Sequence, residues 1–127
     1  MFPSLYSSCV PAGFPSPADD FLDQRLDLNE FLVEHPSATF FVRVKGDSMT
    51  GAGIMSGDIL IVDRAFEPKD KSVVVALVNG EFTVKRISMR PGKMCLLAEN
   101  EHYPAIEITA QMDFEIWGVV KHVIHSF

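Results

Sequence analysis

A mostly-β domain with an extended N-terminal arm and one short helix is the fold class this sequence predicts. Three observations carry that prediction. From Thr39 onward, short runs rich in β-branched and aromatic residues recur, the composition that suits a pleated, half-buried surface. Two of those runs flank Asn79-Gly80, a strong short hairpin signal, because a type I′ turn needs positive φ at both central residues. Ahead of them, Met1 to about Ser16 carries Pro3, Pro11 and Pro15 among serines. Proline fixes φ and pushes the residue before it toward β or polyproline geometry, so this stretch reads as an extended arm. Composition alone, however, favours an ordinary disordered tail.

Along the chain, Ser16-Pro17 offers a start for an early helical turn, since proline suits the first helical position. Asp27 and Glu30 then have capping-box spacing, with Asp in the Ser/Thr role, and Leu28, Phe31 and Leu32 supply an apolar face. His35-Pro36 stops that helix. Strands follow at Thr39–Val44, Ile59–Val62, Ser72–Val78, Glu81–Ile87 and Ile116–Ile124. Glu99–Pro104 reads as a loop. No repeat or low-complexity tract interrupts the series.

Composition narrows the function classes. The length of 127 residues suits one domain, and 47% hydrophobic with 22% charged residues is a globular balance. A formal net charge of -6 argues against a stand-alone nucleic-acid binder, because the body as a whole does not attract phosphate backbones. Cys9 and Cys95, without a secretory signal, point to a reduced cytoplasmic protein. No stretch approaches the roughly 18 apolar residues of a spanning helix, so no membrane association is expected.

Serine, lysine and histidine are the candidates for chemistry. His122 and His125 fall on opposite faces of a strand, and neither His35 nor His102 has metal-ligand spacing. The histidines are expected to be solvated or structural, and no metal or cofactor is expected. Val44-Lys45-Gly46-Asp47-Ser48-Met49-Thr50 is more pointed: a strand end, a sharp Gly-Asp turn, then a serine. Glycine lets the backbone bend and brings main-chain N–H groups toward a substrate carbonyl. Donors of that kind are expected at Ser48 and Met49. A serine hydroxyl is nearly inert unless a base takes its proton, and with no histidine suitably placed the alternative base is a lysine.

Lys85 lies in the second strand of the Asn79-Gly80 hairpin, where alternation puts Thr83, Lys85 and Ile87 on one face and Phe82, Val84 and Arg86 on the other. A free lysine has a pKa near about 10.4, and burial lowers it by disfavouring the ammonium. Taken alone, Gly-Asp-Ser is also a common turn and Lys85-Arg86 also an exposed pair on an edge strand, so these residues leave both readings open.

Three ordered blocks carry a family resemblance: Gly46-Asp47-Ser48-Met49, Gly57-Asp58-Ile59-Leu60-Ile61-Val62-Asp63 and Gly80-Glu81-Phe82-Thr83-Val84-Lys85-Arg86. They resemble the catalytic core shared by LexA-type repressors and UmuD-type proteins. Gly13-Phe14-Pro15-Ser16-Pro17-Ala18 and His35-Pro36-Ser37-Ala38-Thr39 resemble the UmuD type more narrowly, and the likeness runs from about Val10 to Phe127. It implies a LexA/UmuD-like β-rich catalytic domain with Ser48 as nucleophile, Lys85 as general base and Ala12-Gly13 as the scissile bond. Residues 1–38 are then the arm with the cleavage site and short helix, and 39–127 the Ser/Lys peptidase domain. The resemblance further implies self-cleavage promoted by a RecA–DNA filament after DNA damage. Its product, a homodimer starting at Gly13, joins an error-prone polymerase of the UmuC type.

One departure stands out: UmuD-type sites have Cys-Gly where this chain has Ala12-Gly13, as LexA does. The cut keeps a small residue, and the exact subfamily stays open. The chain starts so close to that bond that the helix-turn-helix of a DNA-binding repressor is not expected, nor is sequence-specific DNA binding. Val10-Pro11-Ala12-Gly13-Phe14 is stiff, extended and free of bulk at the attacked carbonyl. A tethered substrate has a high effective concentration, so the arm is expected to be undocked until RecA favours the docked state. Two other classes compete: a non-enzymatic β-rich dimeric interaction module of the same fold, and a signal peptidase, which lacks support without a membrane anchor.

Overall fold

The computed structural model describes residues 4–6 and 22–127. Most of the predicted arm, including Ala12-Gly13 and the Ser16-Pro17 turn, lies outside the described residues. The chain divides into two units, Met1–Val33 and Glu34–Phe127.

In the first unit, β1 (Ser4–Tyr6) pairs antiparallel with β2 (Leu22–Arg25), Ser4 opposite Arg25. The predicted helix follows as α1 (Leu28–Leu32), with the Asp27 carboxylate accepting from Asn29 N at 3.0 Å as its N-cap. Leu28 and Phe31 stay 52% and 60% exposed, so the apolar face read from the sequence is not core.

The second unit opens with a 3₁₀ turn at Pro36–Ala38, where proline at the first position suits the missing N–H. Its strands are β3 (Thr39–Arg43), β4 (Ile59–Asp63), β5 (Val73–Val78), β6 (Glu81–Arg90), β7 (Lys93–Leu97), β8 (Ile106–Glu107) and β9 (Phe114–Ile124). They form one antiparallel sheet in the order β3-β4-β9-β5-β6-β7-β8. The expected mostly-β fold with one short helix is thus observed.

Local chemistry accounts for the joints. Asn79 and Gly80 take φ of 48° and 84°, the paired positive values the hairpin needs. Gly118 lets β9 lie close against β4, since a Cβ there would meet Val62 Cγ1 at 2.7 Å. β5 is apolar throughout and is buried on both sides. Val75 joins Met49, Ile54, Leu60 and Val62 in one cluster, while Val74 and Ala76 join Ile87, Leu96 and Val119 in another. A continuous apolar run is what a strand covered on both faces requires.

Two buried carboxylates bracket β4. Asp63 accepts from Ala65 N at 2.7 Å and meets His35 Nδ1 at 2.7 Å. Asp58 accepts from Met55 N at 2.8 Å and meets His125 Nδ1 at 2.5 Å. Those two histidines are therefore structural partners, as expected for histidines without ligand spacing. The Met55 N–H holds the Asp58 pKa low against the opposing effect of burial, with His125 adding to it. At Asp63 burial pushes upward, and the hydrogen bonds from His35 and Ala65 outweigh it.

Candidate active site

Ser48 sits on the turn that leaves β3. Gly46, at φ 96°, reverses the chain there, and its N–H donates to Ser56 Oγ at 3.2 Å. Val44 N to Asp58 O and Gly57 N to Val44 O, both 2.8 Å, tie the strand end to the segment before β4. Met49, 2% exposed, plugs into the core beside Ile54. Burying such a side chain stabilises by about 1.5–3 kcal/mol, and it fixes the residue next to the serine. Met49 O then accepts from Ala52 N at 3.0 Å as the chain enters a 3₁₀ turn, Thr50–Ala52.

Lys85 comes from β6, where strand alternation works as the sequence indicated: Lys85 and Ile87 are buried while Arg86 between them is half-buried. The two predicted residues, 37 apart in sequence, meet: Lys85 Nζ lies 3.1 Å from Ser48 Oγ. The amine also donates to Thr83 Oγ1 at 2.6 Å and to Val84 O at 3.2 Å. Burial lowers the Lys85 pKa from its ordinary value, because the ammonium is held where little water reaches it. A neutral amine keeps two N–H donors and one lone pair. Thr83 and Val84 can take the two donors, which leaves the lone pair for the serine O–H.

Met49 adjoins this pair, and among the described residues neither the Ser48 nor the Met49 N–H donates to a main-chain carbonyl of a turn or loop. The cleft around the pair has an apolar floor from Val42, Val44, Val75 and Val84, with Phe82 and Tyr103 also lining it. Phe82 is 61% exposed and stacks edge-on against Trp117, ring centroids 5.2 Å apart. The structure brings together Ser48, Met49 and Lys85; the expected scissile bond, Ala12-Gly13, lies outside the described residues.

Sequence reading missed the segment that braces the serine turn. Glu99 N donates to Ser48 O at 2.9 Å, and Gly51 N donates to Glu99 O at 2.7 Å. Asn100 Nδ2 reaches Asp47 O at 3.0 Å, and the Tyr103 hydroxyl donates to Asp47 Oδ1 at 2.5 Å. The Glu99 carboxylate pairs with Arg86, the neighbour of Lys85. One loop therefore holds both the serine turn and the lysine strand. The approach is so close that a Cβ on Gly51 would sit 2.5 Å from Glu99 O. That glycine was a signal in the sequence, but its partner lies too far along the chain for local patterns to name.

Among the described residues no group of three or more His, Cys, Asp or Glu is placed to hold a metal ion. No helix among them is long and apolar enough to cross a membrane.

A family model described as Peptidase S24-like matches residues 4–121, and the chain belongs to that family. Within it, the chain is 45% identical to Protein SamA of Salmonella typhimurium strain LT2 over 122 residues, covering 96% of this chain and 84% of SamA. It is 47% identical to Protein MucA of Escherichia coli over 119 residues, covering 93% and 81%. A LexA repressor of Shewanella piezotolerans is 38% identical over 118 residues, 92% of this chain and 57% of the repressor. The kinship with UmuD-type and LexA-type proteins read from the sequence is borne out by these matches.

Proposed function

We propose that this protein is a self-cleaving serine peptidase of the DNA-damage (SOS) response, with Ser48 as nucleophile and Lys85 as general base. The observation that carries the reading is the 3.1 Å approach of Lys85 Nζ to Ser48 Oγ, with the lysine buried and its pKa lowered. In the first step neutral Lys85 accepts the Ser48 proton while Oγ attacks the Ala12 carbonyl carbon. The tetrahedral oxyanion is received by the Ser48 and Met49 N–H groups, neither of which donates to a main-chain carbonyl of a turn or loop among the described residues. As the C–N bond breaks, the Lys85 ammonium returns its proton to the departing Gly13 amine. Water then attacks the Ala12 acyl ester on Ser48, with Lys85 again the base, and restores the hydroxyl.

On this reading residues 1–38 present the substrate bond and residues 39–127 are the peptidase domain. The apolar cleft floor suits a small-residue, extended segment such as Val10 to Phe14. Kinship with the UmuD type supports the rest of the role. A RecA–DNA filament promotes cleavage in the cytoplasm, and the product forms a homodimer that serves as accessory subunit to a UmuC-type translesion polymerase. No cofactor is needed, since the proton acceptor and nucleophile both come from the chain.

Incubating the purified protein at mildly alkaline pH and weighing the fragments tests the chemistry. The expected product begins at Gly13 and is missing from Ser48→Ala and Lys85→Ala proteins that remain folded. A product beginning elsewhere overturns the assigned bond, and continued cutting by either variant overturns its assigned role. A version starting at Gly13 should support damage-induced mutagenesis without cleavage, given its polymerase in a host lacking its own copy. No rise in mutation frequency with both proteins present overturns the polymerase role.

A further inference from the structure

Asp47 is the sole acid among the described residues lining the cleft that holds Ser48 and Lys85. The other charged residues there, Arg43 and Lys45, are cations, and the Arg43 guanidinium donates to Gly57 O at 3.0 Å. On β6 the neighbouring cation Arg86 is paired with Glu99. Asp47 shares this cleft with Lys85 and is next in sequence to the serine that Lys85 touches, so a released Asp47 carboxylate has the lysine amine, along with Lys45, as a cation to pair with. An opposite charge within about 4–6 Å favours the charged form of a titrating group. An Asp47–Lys85 ion pair would keep the lysine protonated and draw it off the serine.

The structure holds a different arrangement. Asp47 Oδ1 accepts from the Tyr103 hydroxyl at 2.5 Å, and its main-chain oxygen is held by Asn100 Nδ2 at 3.0 Å. The lysine amine is given over to Ser48, Thr83 and the Val84 carbonyl. The hydrogen bond to Asp47 also raises the Tyr103 pKa from its ordinary value, which favours the phenol as a donor.

We propose that Tyr103 is a positioning residue acting through Asp47: its hydroxyl holds that carboxylate away from Lys85 and so leaves the lysine available as a neutral base. The proposal rests on the Ser48–Lys85 reading and adds a residue to it. Tyr103→Phe keeps the ring and removes only the hydroxyl, on a side chain 42% exposed.

The test has two arms. In the first, unaided self-cleavage is followed against pH for the wild type, Tyr103→Phe, Asp47→Asn and the double variant. Tyr103→Phe should move the midpoint of the profile to higher pH, with about a tenfold loss of rate below the midpoint for each unit moved, and reach the wild-type plateau at high pH. The double variant should return to the wild-type midpoint, since no carboxylate is left to release. A loss equal at every pH, or a double variant that keeps the shift, overturns the proposal in favour of simple bracing. In the second arm, Lys85 is titrated through its 13Cε chemical shift with Ser48→Ala in every protein, so that no cleavage is required. A titration midpoint that rises in Tyr103→Phe and falls back in the double variant upholds the latch even if self-cleavage fails. A midpoint that does not move overturns it even if self-cleavage stands.

Discussion

Replacing Gly51 by alanine strikes the joint between the serine turn and its brace. The added Cβ would lie 2.5 Å from Glu99 O and 3.3 Å from Glu99 C, both main-chain atoms that no side-chain rotation can clear. Relieving the clash means pulling the loop away and losing the Gly51 N to Glu99 O hydrogen bond. Overpacking of this kind costs about 1–3 kcal/mol, and the lost hydrogen bond about 0.5–1.5 kcal/mol more. Together they amount to roughly 2–4 kcal/mol, or at least about 8 °C in the melting temperature of a domain this size. Gly57→Ala is the control. That position has φ 95° with nothing within 4 Å of a Cβ, so it costs only the left-handed backbone, about 1–2 kcal/mol. The two should differ most in function, because only Gly51→Ala displaces Glu99, which holds Ser48 O. A displacement near 1 Å costs on the order of a hundredfold in rate. Thermal melts and self-cleavage time courses on folded protein are the assays. If Gly51→Ala melts and cleaves like Gly57→Ala, the brace does not set the serine.

Other outcomes follow from the same geometry. Unaided self-cleavage should accelerate with pH, about tenfold per unit until the lowered Lys85 pKa is passed and level thereafter; Lys85→Arg should abolish both rate and response, since arginine stays charged. Lys85→Met should abolish cleavage while raising the melting temperature near neutral pH. The folded-state pKa is depressed, so the cost of burying the amine is present below that value and fades as pH rises from it toward the unfolded value near about 10.4; a variant no more stable than the wild type at pH 7 argues against the burial cost. Asp63→Asn should flatten the acid limb of stability. With its pKa lowered in the folded state, Asp63 contributes stability above the unfolded value of about 3.9 that is lost as pH falls through the folded one. An unchanged slope of melting temperature below about pH 4 would count against that pairing.

Local chemistry made much of this molecule legible in advance. Asn79-Gly80 announced its hairpin because the turn demands positive φ at two successive residues, and the observed angles comply. The alternation of Thr83, Lys85 and Ile87 foretold that Lys85 and Arg86 would face opposite ways, since a strand has only two faces, but not that Lys85 would be the buried one. Asp27 capped the helix where its spacing indicated. What escaped was non-local. β1, β2, β7 and β8 were not foreseen; β8 spans only Ile106–Glu107, too short for a periodic signal, and the apolar run Met94–Leu97 gives no alternation to separate strand from buried loop. The histidines that hold Asp63 and Asp58 come from 28 and 67 residues away. Glu99 and Tyr103 read as polar loop residues because their partners on the serine turn are set by the fold alone.

The position of β9 bears on the order in which the molecule is assembled. It is the final strand of the sheet in sequence, yet it lies between β4 and β5. Until it is in place the sheet is two separate ribbons, β3-β4 and β5-β6-β7-β8, each with an unpaired edge. Ser48 lies on the connection between the two strands of one ribbon, and Lys85 belongs to the other. On a ribosome, where residues emerge at about 5–20 per second, the strand that welds the ribbons is the last to arrive. A chain still being made therefore lacks the strand pairing that joins the serine's ribbon to the lysine's, with the Glu99 loop left to bridge them. On the proposed Ser48–Lys85 reading, the sheet that joins nucleophile to base is complete only once β9 has paired with both β4 and β5.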